Sequence, residues 1–407
     1  MVKNGKRTTM PKLRFPKFRT RLDWGSIRLG DASTPVTERV GERKLTPISI
    51  SAGVGFVPQA EKFGRDISGN QYSRYTLVRD GDFVYNKGNS LKFPQGCVYQ
   101  LRGWGEVAAP NVFISFRLKQ DFVAEYFQYC FEKNIHGVQL KQHITSGARS
   151  NGLLNVSKDQ FYGIGIPMPL PDEQQKIANC LSSLDELIAA QVRKVEALKR
   201  YKRGLMQQLF PHAGETVPRL RFPEFRNAPE WDVQPLCKIA ENLDNKRVPI
   251  TESERTKGSV PYYGASGVVD YVKDYLFDEE LLCVSEDGAN LIARTYPIAF
   301  PITGKTWVNN HAHVLRFKNS ATQKIVQDYL NSIDLQDFIT GIAQPKLNRA
   351  MLDRIPVPLP DVDEGKKLAG FLFAIDSYLA GASGALDALR THKNGLIQQL
   401  FPSLEEA

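Results

Sequence analysis

Gly204-Leu-Met-Gln-Gln-Leu-Phe-Pro211 returns almost unchanged as Gly395-Leu-Ile-Gln-Gln-Leu-Phe-Pro402, and this recurrence decides the fold. Upstream of each copy the chain repeats other marks in the same order. Pro11-Lys-Leu-Arg-Phe-Pro-Lys-Phe-Arg19 matches Pro218-Arg-Leu-Arg-Phe-Pro-Glu-Phe-Arg226, with Trp24 and Trp231 in register after them. Ile166-Pro-Met-Pro-Leu-Pro171 matches Ile355-Pro-Val-Pro-Leu-Pro360. Self-similarity at this density means that one structural unit is written twice.

Between each proline run and its Leu-Phe-Pro ending, apolar residues follow alternating three- and four-residue steps. The first set is Ile177, Leu181, Leu184, Ile188, Val195, Leu198, Leu205 and Leu209. The second is Leu368, Leu372, Ile375, Leu379, Leu386, Leu389, Leu396 and Leu400. Such a seam predicts two long helices that pair along their length. Gln191 and Ala382 occupy one weak seam position, and Lys202 and Lys393 another. Asp172 and Glu173 open the first helix and basic residues gather near its end, as the helix dipole favours. Phe210-Pro211 and Phe401-Pro402 stop the two helices.

The regions between the shared parts diverge in sequence but keep a coarse order. Strand-like Phe83–Tyr85 and Leu281–Val284 lead to polar glycine loops, Asn86–Ser90 and Glu286–Asn290. Alternating strands at Val112–Phe116 and His313–Phe317 follow, then short helices at Phe122–Phe131 and Lys324–Ile333. The expected architecture is two α/β (α+β) domains separated by two long helices that form an antiparallel coiled coil, a pseudo-two-fold internal repeat. The expected boundaries are an extension at 1–10, domains at 11–165 and 212–354, helices at 166–211 and 355–402, and a tail at 403–407.

The net charge of +9 favours a polyanionic partner. Cys97, Cys130, Cys180, Cys237 and Cys283 are scattered and odd in number, which argues against a disulfide framework and fits a reducing cytoplasm. No uninterrupted run of 18 apolar residues occurs, so no membrane span is expected. A catalytic constellation is not found. Gly304-Lys305-Thr306 lacks the first glycine of a phosphate loop, and Pro360-Asp361 with Glu364-Gly-Lys366 is explained as acids at a helix start. His311 and His313 could share a strand face, but no cluster completes a metal set, so hydrogen bonding or packing is their expected role.

DNA reading needs cations for phosphates and polar groups for base edges. In the first region the candidates are Asn86, Lys87, Asn89, Ser90, Lys92, Lys141, Gln142, Arg149 and Asn151. In the second they are Tyr263, Ser266, Asn290, Lys305, Asn309, Asn310, His311, Gln344 and Lys346.

The paired Leu-Arg-Phe-Pro-x-Phe openings, the paired Ile-Pro-x-Pro-Leu-Pro runs and the paired Gln-Gln-Leu-Phe-Pro endings together resemble type I restriction-modification specificity subunits. Glu286-Asp-Gly-Ala-Asn290 with Trp307-Val-Asn-Asn-His-Ala-His-Val314 is similar to one common class of target-recognition domain. The resemblance implies a non-catalytic DNA-binding subunit that reads a bipartite site on double-stranded DNA. It also implies partners: two modification (methyltransferase) subunits that bind S-adenosylmethionine and methylate adenine, and restriction subunits that use ATP and Mg to translocate and cleave. No cofactor is expected on this chain itself. One departure stands out: the acidic-Gln-Gln helix start, Glu173-Gln-Gln175, becomes Asp361-Val-Asp-Glu-Gly365 with two extra residues, which could change how the second helix begins. The rival readings are a nuclease or methyltransferase acting alone and a coiled-coil adaptor without DNA specificity.

Overall fold

The computed structural model describes residues 10–51, 53–88, 93–144, 154–341 and 344–403. They divide into two compact units, residues 1–190 with 386–407, and residues 191–385.

In the first unit the strands are β1 (Gly25–Arg28), β2 (Ser33–Pro35), β3 (Thr46–Ser51), β4 (Gly55–Pro58), β5 (Thr76–Arg79), β6 (Phe83–Asn86), β7 (Cys97–Gln100), β8 (Glu106–Ala109), β9 (Ile114–Leu118) and β10 (Gly165–Met168). They form two four-stranded sheets, ordered β2-β9-β6-β7 and β4-β3-β8-β5, and a β1-β10 ribbon. Helix α1 (Ala124–Glu132) follows β9, and α2 (Pro171–Leu209) follows β10.

The second unit repeats this plan strand for strand. Its strands are β11 (Asp232–Pro235), β12 (Ala240–Asn242), β13 (Lys257–Gly264), β14 (Gly267–Val272), β15 (Phe277–Asp278), β16 (Leu281–Ser285), β17 (Ala299–Ile302), β18 (Lys305–Val308), β19 (Ala312–Phe317) and β20 (Pro356–Leu359). The sheets run β12-β19-β16-β17 and β14-β13-β18-β15, with a β11-β20 ribbon. Adding ten to each strand number of the first unit reproduces the second. Helix α3 (Ser320–Ser332) takes the place of α1, and α4 (Val362–Leu400) that of α2.

Each unit buries part of both long helices in its core. In the first, Ile177 and Leu181 of α2 and Ile397 and Leu400 of α4 join an aromatic cluster built on Trp24, Tyr85, Phe116, Tyr126 and Phe161. In the second, Leu205, Met206 and Leu209 of α2 and Leu368 and Leu372 of α4 join Trp231, Leu282, Leu315 and Ile325. The start of one helix thus meets the end of the other within each unit, so the pair is antiparallel. At the weak seam position the Gln191 side chain donates to the Ala382 carbonyl oxygen at 2.7 Å. Val195 and Leu386 are buried, whereas Leu184, Ile188, Leu198, Ile375, Leu379, Leu389 and Leu396 are half-buried. Met206 and Ile397, both outside the heptad positions, are buried more deeply than several of the seam residues because they face the α/β cores.

The two lysines shared by the repeats bind alike. Lys202 Nζ lies 3.2 Å from Asp328 on α3 and 2.5 Å from Asp376 on α4. Lys393 Nζ lies 2.8 Å from Glu132 on α1 and 2.7 Å from Asp185 on α2. Each lysine joins three helices, which hydrocarbon at that position could not do. Burial opposes the charge on Lys202, but Asp328 and Asp376 outweigh it and raise its pKa.

The proline-flanked openings are anchored by a second repeated device. Arg14 forms a bidentate pair with Glu173, both contacts at 2.7 Å, and Arg221 does the same with Glu364, again at 2.7 Å. The guanidiniums also donate to backbone carbonyls, at Arg21 and Leu22 in the first unit and at Ala228 and Pro229 in the second. Glu173 and Glu364 are therefore equivalent, and the two extra residues fall before Glu364. There Asp361 Oδ1 accepts from the backbone N–H groups of Asp363 and Glu364, an N-cap that replaces the proline start of α2.

Three expectations shift. The strand expected at Val112–Phe116 lies at Ile114–Leu118, and the helices expected at Phe122–Phe131 and Lys324–Ile333 lie at Ala124–Glu132 and Ser320–Ser332. Counting unbroken apolar runs also missed α4, which is long and apolar enough to cross a membrane by length and composition, with a window mean hydropathy of 1.3. Alanines, leucines and phenylalanines raise that mean, and the leucines at both ends of α4 are packed in the protein cores.

Candidate nucleic-acid interface

In the second unit four chain segments converge around the end of β16. The β13–β14 hairpin turns through Ala265-Ser266 into Gly267, whose φ of +119° suits only glycine. The Ser285 hydroxyl donates to the Ala265 carbonyl and ties this tip to β16. The Glu286–Gly288 loop follows, with Gly288 at φ +103°. Leu347 N–H donates to the Glu286 carbonyl at 2.8 Å and Gly288 N–H to the Pro345 carbonyl at 3.1 Å, which clamps Pro345 and Leu347 beside the loop. The turn after β18 closes the group: Asn309 N–H donates to the Tyr263 carbonyl, and Glu286 N–H to the His311 carbonyl.

Underneath lies a polar cluster that sequence reasoning did not assemble. His313 is buried, and its Nδ1 lies 2.6 Å from Asp244 Oδ2 while its Nε2 lies 2.7 Å from the Leu347 carbonyl oxygen. Arg247 Nη1 donates to Glu286 at 2.7 Å and to the Ala312 carbonyl at 2.8 Å. Asp244, Glu286 and His313 bring one ligand-type atom each within 4.8 Å of one another, a spacing that could hold a metal ion. The Arg247 guanidinium already supplies a cation to these carboxylates, and both ring nitrogens of His313 face protein acceptors, so the grouping reads as an ion-pair network. The available signal was a histidine in an otherwise apolar strand, which requires a buried acceptor.

Burial alone would push the Asp244 carboxyl upward. The His313 hydrogen bond and charge, with the Val314 N–H and Arg247, reverse this and hold its pKa below the usual carboxylate range. Glu286 is lowered by the same balance, with Arg247 and His313 outweighing burial. Both groups therefore stabilise the fold above the unfolded carboxylate pKa of about 4, and that stabilisation is lost as pH falls through the depressed folded values. Thermal unfolding from pH 7 to pH 3 checks this. Asp244→Asn is expected to be less stable than the natural chain at pH 7, with the gap narrowing steadily below pH 4; a gap independent of pH would contradict the linkage.

The candidate residues separate by their surroundings. Ser266, Asn310, His311, Gln344 and Lys346 are exposed around the converging segments. His311 Nδ1 lies 2.8 Å from Asp287 Oδ2, and Lys346 Nζ lies 3.2 Å from Glu286. Asn309 is buried and its Oδ1 accepts from His311 N–H at 2.8 Å, so it shapes the turn. Asn290 holds both the N–H and the carbonyl of Tyr296, and Tyr263 stacks on Phe300 with ring centroids 6.0 Å apart. Lys305 stands at the opposite end of β18 from Asn309, its Nζ 4.7 Å from the Tyr275 ring centroid.

In the first unit the corresponding place is formed by the β3–β4 hairpin tip and the end of β6. Asn86 Nδ2 donates to the Ile50 carbonyl at 3.4 Å, its Oδ1 accepts from Gly88 N–H, and Leu154 N–H donates to the Lys87 carbonyl at 2.9 Å. Gly53 N–H donates to the Tyr99 hydroxyl, and Val54 at the tip is 74% exposed. This tip was not among the sequence candidates. Lys141 and Gln142 are exposed on the turn Lys141–His143. Asn89, Ser90, Lys92, Arg149 and Asn151 lie outside the described residues.

A family model for the type I restriction modification DNA specificity domain matches residues 78–200 and 229–383, more than half of the chain. A putative type I restriction enzyme specificity subunit of Haemophilus influenzae is 34% identical over 146 residues, which cover 36% of this chain and 37% of that protein. The type I restriction enzyme MjaVIII specificity subunit of Methanocaldococcus jannaschii is 25% identical over 91% of this chain and 89% of its own length. Among solved structures, a type I restriction-modification system S subunit from M. genitalium superposes with a TM-score of 0.59 at 14% identity, covering 97% of this chain and 100% of that one. A second chain, from work on complex assembly and conformational transition of the type I R-M system, gives 0.55 at 14% identity, covering 93% and 98%. At these identities the structural likeness speaks to the fold.

Proposed function

The chain belongs to the type I restriction-modification DNA specificity family, and from that membership we propose that it reads a bipartite site on double-stranded DNA, one half-site by each α/β region. The observation that carries this reading is a constant scaffold with changed loops. Ten strands recur in the same order, yet the loop at the end of β6 begins Lys87-Gly88 while that at the end of β16 begins Glu286-Asp287. Equal frames with unlike loop chemistry suit two different base sequences. The net charge of +9 supplies the sequence-independent attraction to phosphates.

In this reading residues 11–165 and 212–354 are the recognition domains, and 166–211 and 355–402 act as spacers. Chemistry falls to partners: two modification subunits that bind S-adenosylmethionine and methylate an adenine taken out of the stack, and restriction subunits driven by ATP and Mg. The chain's own part is to choose where they act.

Exchanging residues 20–160 for the matching region of another family member tests the proposal. Methylated sites mapped by sequencing are expected to change in one half-site and to keep the other half-site and the gap. A change in both halves, or in neither, would defeat the assignment of one half-site to each region.

A further inference from the structure

Resting on the DNA interface proposed above, we propose that Asp287 and His311 form a specificity-determining pair that accepts the one free N–H of the exocyclic amine of a paired adenine or cytosine. The pair lies on the exposed rim of the four converging segments, with the His311 side chain 52% and that of Asp287 34% exposed. A carboxylate has no proton to give, so Asp287 Oδ2, 2.8 Å from Nδ1, fixes the ring proton on Nδ1. In the neutral ring Nε2 is then an acceptor. The turn is rigid: Asn309 Oδ1 accepts from His311 N–H and Glu286 N–H donates to the His311 carbonyl. Asp287 is held by its own bridge to Lys346. The result is two acceptors, an imidazole nitrogen and a carboxylate oxygen, on a surface whose other exposed groups include Lys346, Gln344 and Ser266.

An exposed carboxylate is repelled by phosphates, so at a DNA interface it is useful only opposite a donor. In the major groove the donors are adenine N6 and cytosine N4. Lys346 beside the pair supplies the phosphate contact that sets its register. The first unit has Lys87-Gly88 where the second has Glu286-Asp287, so the acceptor pair belongs to one half-site only.

The test uses the full chain with its modification subunits and a library of randomised duplexes at fixed salt. His311→Ala and Asp287→Asn are each expected to relax the preference at one base pair of one half-site, lowering discrimination there about 5- to 150-fold. The other half-site, unchanged, shows that the variants are folded. Replacing the assigned adenine by purine, or the cytosine by pyrimidin-2-one, removes only the amine. This is expected to weaken the natural chain by a similar factor and the His311→Ala chain no further. Selected sites identical at every position in both variants would overturn the proposal, as would full binding of the amine-less duplex. A natural chain that selects no site at all would instead overturn the DNA-specificity reading on which it rests.

Discussion

Glu364→Ala is expected to destabilise the second unit by about 3–5 kcal/mol, because it leaves a buried guanidinium without its counter-ion. Arg221 and Glu364 expose only 6% and 2% of their side chains, and the pair is bidentate. Removing the carboxylate also orphans the Trp231 indole N–H, which donates to Glu364 Oε2 at 3.2 Å. The Leu-Arg-Phe-Pro opening would lose its hold on the start of α4, since that carboxylate joins the two. Denaturant unfolding followed by tryptophan emission checks the size of the loss; less than about 1 kcal/mol would mean that the guanidinium finds new partners. Glu173→Ala is expected to act alike in the first unit, where Arg14 and Glu173 are equally buried.

Lengthening both long helices by one heptad, before Gln191 and after Ala382, is expected to widen the gap between the half-sites by about three base pairs. Seven residues add about 10 Å of helix, and duplex DNA rises about 3.4 Å per base pair. A full heptad preserves the apolar seam, and placing it in both helices keeps Gln191 opposite Ala382. Methylation mapping should show the same bases on either side of a longer gap, with little activity left at the original sites. An unchanged gap would remove the helices from the role of spacer.

Much of this architecture is legible without coordinates. The doubled Gln-Gln-Leu-Phe-Pro endings and the heptad runs announce two long helices in two related units, since repetition and period are properties of a line of letters. Lys202 and Lys393, matched in a seam otherwise apolar, pointed to a shared polar requirement, although their acidic partners on α1 to α4 could not be read from spacing. The candidate interface was legible in its residue types and less so in its membership. Asn309 and Asn290, chosen as base readers, are occupied in shaping turns, while Asp287 at the rim and Val54 at a hairpin tip were passed over.

The amino-acid sequence alone determined the duplication, the helix pair and the family, because these depend on identity and periodicity along the chain. Only the tertiary structure decided which polar side chains are spent on the fold and which stand free at the surface. A hydrogen bond such as His313 to Asp244 joins residues 69 positions apart, and whether a donor is satisfied is set by the neighbours that folding brings to it.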